Sequence, residues 1–258
     1  MNSTSAWIFA TLALFVGMVL LIELGRRLGQ HRMVRDLEGA RAGLGAVEGA
    51  LFGLLGLLIA FTFQGAASRF DTRRALIVEE ANAVSTAWAR LDMLPVAAQP
   101  PLRELFRCYL DARLAVYQQP PELAAVRAAL EKSNGLQQEI WAAATTACRT
   151  EEGRGLTMLV LPPLNVMFDI TTTRTMALLH HPPLIIFGSL FALALGCSLL
   201  AGFGMAGGKM RSWAHMLGFA IIMAFAVYVI LDLEFPRLGF IRVDAADRAL
   251  TSLRGSMK

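Results

Sequence analysis

Charged residues are scarce in this chain of 258 residues and make up only 17% of it. Hydrophobic residues reach 55% and the mean hydropathy is +0.52, which is more apolar than an ordinary soluble domain. The net charge of +4 comes from basic residues close to the ends of apolar runs, where they meet lipid headgroups or set topology. The composition therefore excludes an ordinary soluble protein and disfavours a nucleic-acid partner.

Cysteine is also rare. The chain has only Cys108, Cys148 and Cys197, and none stands in a C-x-x-C or similar spacing. Metal sites and disulfide frameworks need such spacings, so we interpret the three as small buried hydrophobic residues. The adjacent His180 and His181 do not suggest a metal site either, because neighbouring residues of a helix point apart. We expect no metal and no cofactor.

Catalytic motifs are absent as well. The chain shows no nucleophile–base constellation, no zinc-ligand spacing and no phosphate-binding loop, and acidic residues within its apolar runs are few. These are the patterns by which most enzymes are recognised from sequence. We therefore do not expect an enzyme.

Proline is missing from Met1 to Leu94, so long helices are possible there. Apolar runs of about the ~20 residues that cross a bilayer lie at residues 6–24, 44–64, 184–206 and 213–233. The second run passes into a charged stretch that keeps a helical pattern, and Leu94-Pro95 ends it because the residue before proline resists the helical conformation. The sequence predicts an all-α protein with four transmembrane helices.

The predicted organisation is two hairpins of spans with a helical domain inserted between them. Prolines at 100–101 and 120–121 open two helices of that domain, since proline is tolerated in a first turn, and Pro162-Pro163 are expected to kink or restart a later one. A basic turn should join the first two spans. The predicted ranges are 1–65 for the first hairpin, 66–183 for the extramembrane domain, 184–233 for the second hairpin and 234–258 for a tail lying over the helical domain.

Glycines are regularly spaced in the second span. Gly45, Gly49 and Gly53 recur every four residues, with Gly56 further on. A small-x-x-x-small pattern lets another helix approach to backbone contact, and that helix is either the first span or another copy of the chain. Glu48 lies among these glycines and is either a functional carboxylate or an interfacial residue just outside the hydrocarbon.

Charged stripes follow beyond Gln64 on the same helix. Opposite charges on adjoining stripes indicate ion pairs, and the structural interpretation pairs the arginines there with acids of their own helix. The alternative is a vestibule for a charged ligand. Candidates for either role are Arg69, Arg73, Glu79, Glu80, Asn82 and Arg90 on this helix, Asn165, Asp169 and Arg174 on a later one, and Asp232 and Glu234 at the end of the fourth span.

Three stretches together resemble the motifs of the bestrophin-like family of bacterial membrane proteins. They are RFDTRRALIVEEANAVSTAWARLDMLP from Arg69, LNVMFDITTTR from Leu164 and LDLEFPRLGFIRV from Leu231. In the third motif the family tends to have Asp-Leu-Asp followed by an Arg-Pro pair. This chain has Phe235-Pro236 with Arg237 after it, which departs from that pattern.

The resemblance implies a homo-oligomeric ion channel, because bestrophins are pentamers with four membrane helices per subunit and a cytosolic helical domain. The second span would line the pore, and apolar side chains would gate it by dewetting. Arg69 and Arg73 would draw anions towards it. A non-conducting membrane sensor or scaffold is the alternative. The candidate pore and gate residues are Leu54, Leu57, Leu58, Phe61 and Phe63.

Membrane orientation is left open by the residues alone. Basic residues near the spans are equally numerous on the two sides, so the positive-inside count is a tie. In the first hairpin an uncharged N-terminal tail precedes five arginines, which favours an inserted domain outside the cytosol. The family resemblance instead implies a domain in the cytosol, at the inner membrane of a bacterium.

Overall fold

The structure is a computed structural model that describes residues 3–35, 44–118, 123–207, 213–236 and 239–257. Within these ranges the chain forms helices and no strand, which confirms the all-α prediction. The α-helices are α1 (Ser3–Arg35), α2 (Leu44–Arg90), α3 (Gln99–Gln118), α4 (Leu123–Arg149), α5 (Thr157–Leu179), α6 (Leu184–Gly204), α7 (Trp213–Glu234) and α8 (Asp244–Ser256).

Four stretches of these helices are long and apolar enough to cross a membrane, and they contain the four predicted spans. The protein is therefore a helical membrane protein. It consists of two compact units, of which the first holds Met1–Phe70 and His181–Arg242 and the second Asp71–His180 and Val243–Lys258. Helix α2 contributes residues to both.

In the first unit, α1 packs along α6 and also contacts α7. The backbones meet at glycines: a Cβ on Gly202 of α6 would overlap the carbonyl oxygen of Ile22, and one on Gly25 of α1 would overlap that of Leu199. Only glycine leaves room for such an approach. Because the principal partner of α1 is α6 rather than its neighbour in the chain, the two-hairpin arrangement stays a prediction.

Helix α1 continues past the predicted end of its span to Arg35. Gly25 and Gly29 both lie against the end of α6 or the turn after it, so this part of the chain packs as helix instead of turning. Arg26 is buried there. The rest of the predicted basic turn, residues 36–43, lies outside the described residues.

In the second unit, α3 and α4 pack along each other, α5 packs on α4, and α8 packs on α3. Both predicted helices are present; Pro100 and Pro101 stand in the first turn of α3, whereas Pro120 and Pro121 lie outside the described residues. Helix α5 runs through Pro162 and Pro163 without ending, and Leu250 of α8 is fully buried. Thirteen residues of the predicted tail form α8.

Of the three cysteines, Cys148 and Cys197 are buried, as interpreted from the sequence, whereas Cys108 is half-buried. No group of metal-ligating side chains forms among the described residues.

Replacing Gly202 with alanine tests the contact between α1 and α6. We expect Gly202→Ala to lower the free energy of unfolding by about 1–3 kcal/mol, the usual cost of overpacking. Gly188→Ala in the same helix is the matched control, because a Cβ there meets nothing within 4 Å. Thermal unfolding in detergent measures both, and equal stability of the two variants would contradict the close approach.

Candidate functional site

The residues predicted to form the pore constriction lie on different faces of α2. Leu54, Leu57 and Phe61 are 52%, 51% and 67% exposed, whereas Leu58 packs against the core of the first unit. Phe63 is also exposed, but at 3.6 residues per turn it lies about 160° around the helix axis from Phe61. The five residues therefore cannot all face one pore axis.

The glycines of α2 form an open stripe. A Cβ built on Gly45, Gly49, Gly53 or Gly56 meets nothing within 4 Å, while α1 packs elsewhere. Only 6% of the most apolar 18-residue stretch of α2 is buried, against 28%, 22% and 44% for the other three candidate spans. None of the described residues of this chain therefore packs on these glycines, and a packing role for them needs another partner, such as a second copy of the chain.

Glu48 lies between these glycines and faces α6. A Cβ on Gly204 would lie 2.7 Å from its Oε1, so the glycine leaves the space that the carboxylate occupies. Oε1 is buried and has no hydrogen-bond partner in the part of the chain that the structure describes. Because such a carboxylate is expensive in apolar surroundings, Glu48 stays a candidate functional group.

Glu234 at the end of α7 is fully buried and joins two basic side chains of the first unit. Arg69 Nη2 lies 2.7 Å from its Oε2, and His181 Nδ1 lies 2.9 Å from its Oε1. The structural interpretation paired Arg69 with acids of its own helix, but the described pairing reaches the end of α7. The positive charge of Arg69 is therefore compensated.

Asp232, two residues earlier in α7, positions the chain that follows. Its carboxylate accepts hydrogen bonds from the backbone N–H groups of Phe240, at 3.1 Å, and Ile241, at 2.9 Å. A Cβ on Gly239 would overlap this carboxylate, so the returning chain needs glycine there. The acid of the third motif thus holds a turn.

A buried ion network has Glu80 at its centre in the second unit. Arg113 Nε lies 2.6 Å from its Oε1 and Arg174 Nη1 2.5 Å from its Oε2, and all three side chains are at most 2% exposed. Arg174 also pairs with Asp247 of α8 at 3.1 Å. Burial acts to raise the pKa of Glu80, but the charges and hydrogen bonds of the two arginines outweigh it, so the pKa is lowered.

Tyr117 completes this network. Its ring centroid lies 3.6 Å from Cζ of Arg174 and 5.2 Å from Cζ of Arg113, and its hydroxyl accepts a hydrogen bond from Arg113 Nη2 at 2.6 Å. Cation–π contact of this kind is strongest where the cation is desolvated. Nearby, burial raises the pKa of Tyr109 to about 12, so that phenol stays protonated and does not add a second negative charge.

The other candidate residues are dispersed. Arg73 donates hydrogen bonds to the carbonyls of Ala177 and His180, where a cation suits the C-terminal end of α5. Arg90 Nη1 lies 3.8 Å from Met93 Sδ. Exposed positions are held by Glu79, Asn82, Asn165 and Asp169, of which the first two line a groove of about 520 Å³ with Thr86, Pro162 and Pro163.

Sequence reasoning identified Glu80 and Arg174 as candidates, but neither their pairing with each other nor the other members of the network. Arg113 and Tyr117 stand one turn apart on α3, and Arg113 occurs there among buried residues such as Leu110 and Ala112. A lone arginine on an apolar stripe is the signal that marks a buried partner, because a buried charge needs a counter-charge.

Taken together, four apolar helices and an ion-paired helical unit define a helical membrane protein of two compact parts. The chain matches the family model described as Bestrophin-like domain over residues 7–247, nearly its whole length. It belongs to the bestrophin-like family, which confirms the resemblance carried by the three motifs. No curated protein and no solved structure matches it.

Replacing Glu80 with glutamine tests the buried network. We expect Glu80→Gln to lower the free energy of unfolding by about 3–5 kcal/mol, because Arg113 and Arg174 lose a buried counter-charge. Glu79→Gln, one residue earlier and exposed, should change it by less than about 0.5 kcal/mol. Denaturant titration of the purified protein in detergent measures both values, and two equal small losses would show that the network adds no stability.

Proposed function

We propose that this chain is one subunit of a homo-oligomeric anion channel in which the membrane part of α2 lines the pore. The observation that carries the proposal is the exposure of that helix, whose apolar stretch is by far the least buried of the four. A pore shared between subunits requires each subunit to leave one helix largely uncovered. Membership of the bestrophin-like family supports the same function.

The constriction belongs to one face of α2 in this proposal. Leu54, Leu57 and Phe61 are exposed and fall within one side of the helix, so in a ring of subunits they narrow the pore to an apolar collar that gates by dewetting. Leu58 is held by the subunit core and Phe63 points elsewhere. The glycine stripe beside this face would contact the neighbouring copy.

Fewer observations support a preference for anions than support the pore itself. The bestrophin resemblance implies it, and the net charge of +4 favours anions near the protein. Arg69 contributes little, because Glu234 compensates its charge, and Arg73 is buried against the end of α5. We propose no catalytic role for the chain.

A comparison of two phenylalanines tests the pore. We expect Phe61→Ala to raise the basal conductance of purified protein in lipid bilayers several-fold, because it widens and wets the apolar collar. Phe63→Ala removes the same side chain from another side of the helix and should leave conductance near its starting value. An equal response of the two variants would contradict the assigned pore face.

The mass of the particle in detergent is the control for this experiment, since a strict monomer cannot build a shared pore. A well-folded oligomer that passes no current would exclude the channel and favour the non-conducting sensor or scaffold. The observation that favours this second function is the groove with exposed Glu79, Asn82 and Thr86, which offers polar groups to a partner.

Reporter fusions after Lys258 test the orientation. We propose that the second unit lies in the cytosol of a bacterial cell, and four spans place both termini on its side of the inner membrane. A green fluorescent protein fusion should therefore fluoresce, and an alkaline phosphatase fusion should be inactive. The opposite pair of results would place this unit outside and contradict the bestrophin analogy.

A further inference from the structure

A half-open pocket of about 180 Å³ lies in the first unit, where the start of α1 meets the end of α7. Aromatic rings dominate the walls that the structure describes, and the one charged group of this described lining is a carboxylate. The residues used below are Trp7, Tyr228, Asp232, Phe235 and Phe240. Neither the family match nor the proposed pore uses this pocket.

The carboxylate of Asp232 is only 6% exposed. Its hydrogen bonds come from two backbone N–H groups and the hydroxyl of Tyr228, and none of these donors carries a charge. Over the ranges that the structure describes, no basic side chain pairs with it, since Arg69 and His181 pair with Glu234. A buried charge is normally paired with an opposite charge, and this carboxylate has no cationic partner among the described residues.

The walls determine which cation fits. Phe235 is covered on both faces, by Trp7 with a centroid separation of 4.4 Å and by His181 at 4.7 Å, so it keeps the neighbouring ring of Trp7 in place. Tyr228 and Phe240 meet edge to face at 6.4 Å. Aromatic faces attract organic ammonium groups, whereas a calcium ion needs about 6–8 oxygen ligands, which a wall with one carboxylate does not supply.

We propose that this pocket binds an organic ammonium group, held by the charge of Asp232 and by the faces of Trp7, Tyr228 and Phe240. An apolar cavity of about 150 Å³ accepts a benzene ring, so the volume here admits a trimethylammonium group. The group belongs either to a phospholipid headgroup or to a free amine. Tryptophan and tyrosine are enriched at the level of lipid headgroups, so both sources can reach the pocket.

Choline and its neutral isostere 3,3-dimethylbutan-1-ol test the charge requirement on the full-length protein in a non-ionic detergent. Calorimetric titration should show saturable binding of choline and at least tenfold weaker binding of the isostere. Equal binding of the two, or no saturable binding of choline together with no retained amine lipid, would overturn the proposal.

Variants assign the binding to the pocket. Asp232→Asn should abolish it, and Phe240→Ala should weaken it at least fivefold. Phe240 is 86% exposed, so truncating its side chain leaves the fold intact. This variant therefore tests the binding site even where Asp232→Asn loosens the turn. Phe225→Ala, on α7 but outside the pocket lining, and the exposed Asp71→Asn are the matched controls and should bind as the parent protein does.

Native mass spectrometry distinguishes a phospholipid headgroup from a free amine as the source of the ammonium group. Retention of phosphatidylethanolamine over phosphatidylglycerol by the parent protein, lost in Phe240→Ala but not in Phe225→Ala, assigns the site to a lipid headgroup. Choline binding that follows the same variants without selective lipid retention assigns it to a free amine. If choline binding and lipid retention are both unchanged in Phe240→Ala and Asp232→Asn, the proposed binding site is wrong. This result does not depend on whether the protein conducts ions.

Discussion

The buried carboxylate of Glu80 is the contact on which the second unit depends. It is fully buried between two arginines that are themselves buried, and through Arg174 and Asp247 it connects α2, α3, α5 and α8. Removing such charges from water is expensive, and their attraction offsets the cost only when every partner is in place. The network therefore selects one packing of these helices: a shifted helix would leave a buried charge without its counter-charge.

Two further charged groups, Glu234 and Arg73, are compensated in similar ways. Glu234 binds Arg69 and His181 in the first unit, and Arg73 satisfies the last carbonyls of α5. Arg69, Arg73 and Glu80 of α2, which were candidates for a ligand-binding vestibule, thus hold helices together within each unit. What α2 leaves uncovered in its membrane part is apolar, so any function there has to come from shape, packing and the exclusion of water.

Helix identity was predictable because apolar runs, proline positions and the length needed to cross a bilayer are local properties. Contacts were not, because they depend on which helices meet. The regular glycines of α2 were predicted to pack, yet among the described residues α1 and α6 approach each other at Gly25, Gly29 and Gly202, and glycine spacing alone does not say which helices meet. Glu80 was identified as an ion-pair residue, but its partners Arg113 and Arg174 lie 33 and 94 residues away, beyond the reach of helical spacing.

Helical geometry gives the uncovered face of α2 a definite direction. At 3.6 residues per turn, Leu55, which is 2% exposed, lies about 160° around the axis from Leu57. Leu57 is thus directed away from the core of the first unit, and Leu54 and Phe61 lie within about 60° of it around the axis. Gly49 lies about 80° from Leu57, on the flank of that face, where the next helix in a ring would make contact. One helix therefore presents a core side, a packing flank and an outward apolar side, which is the arrangement that a pore built from several copies requires.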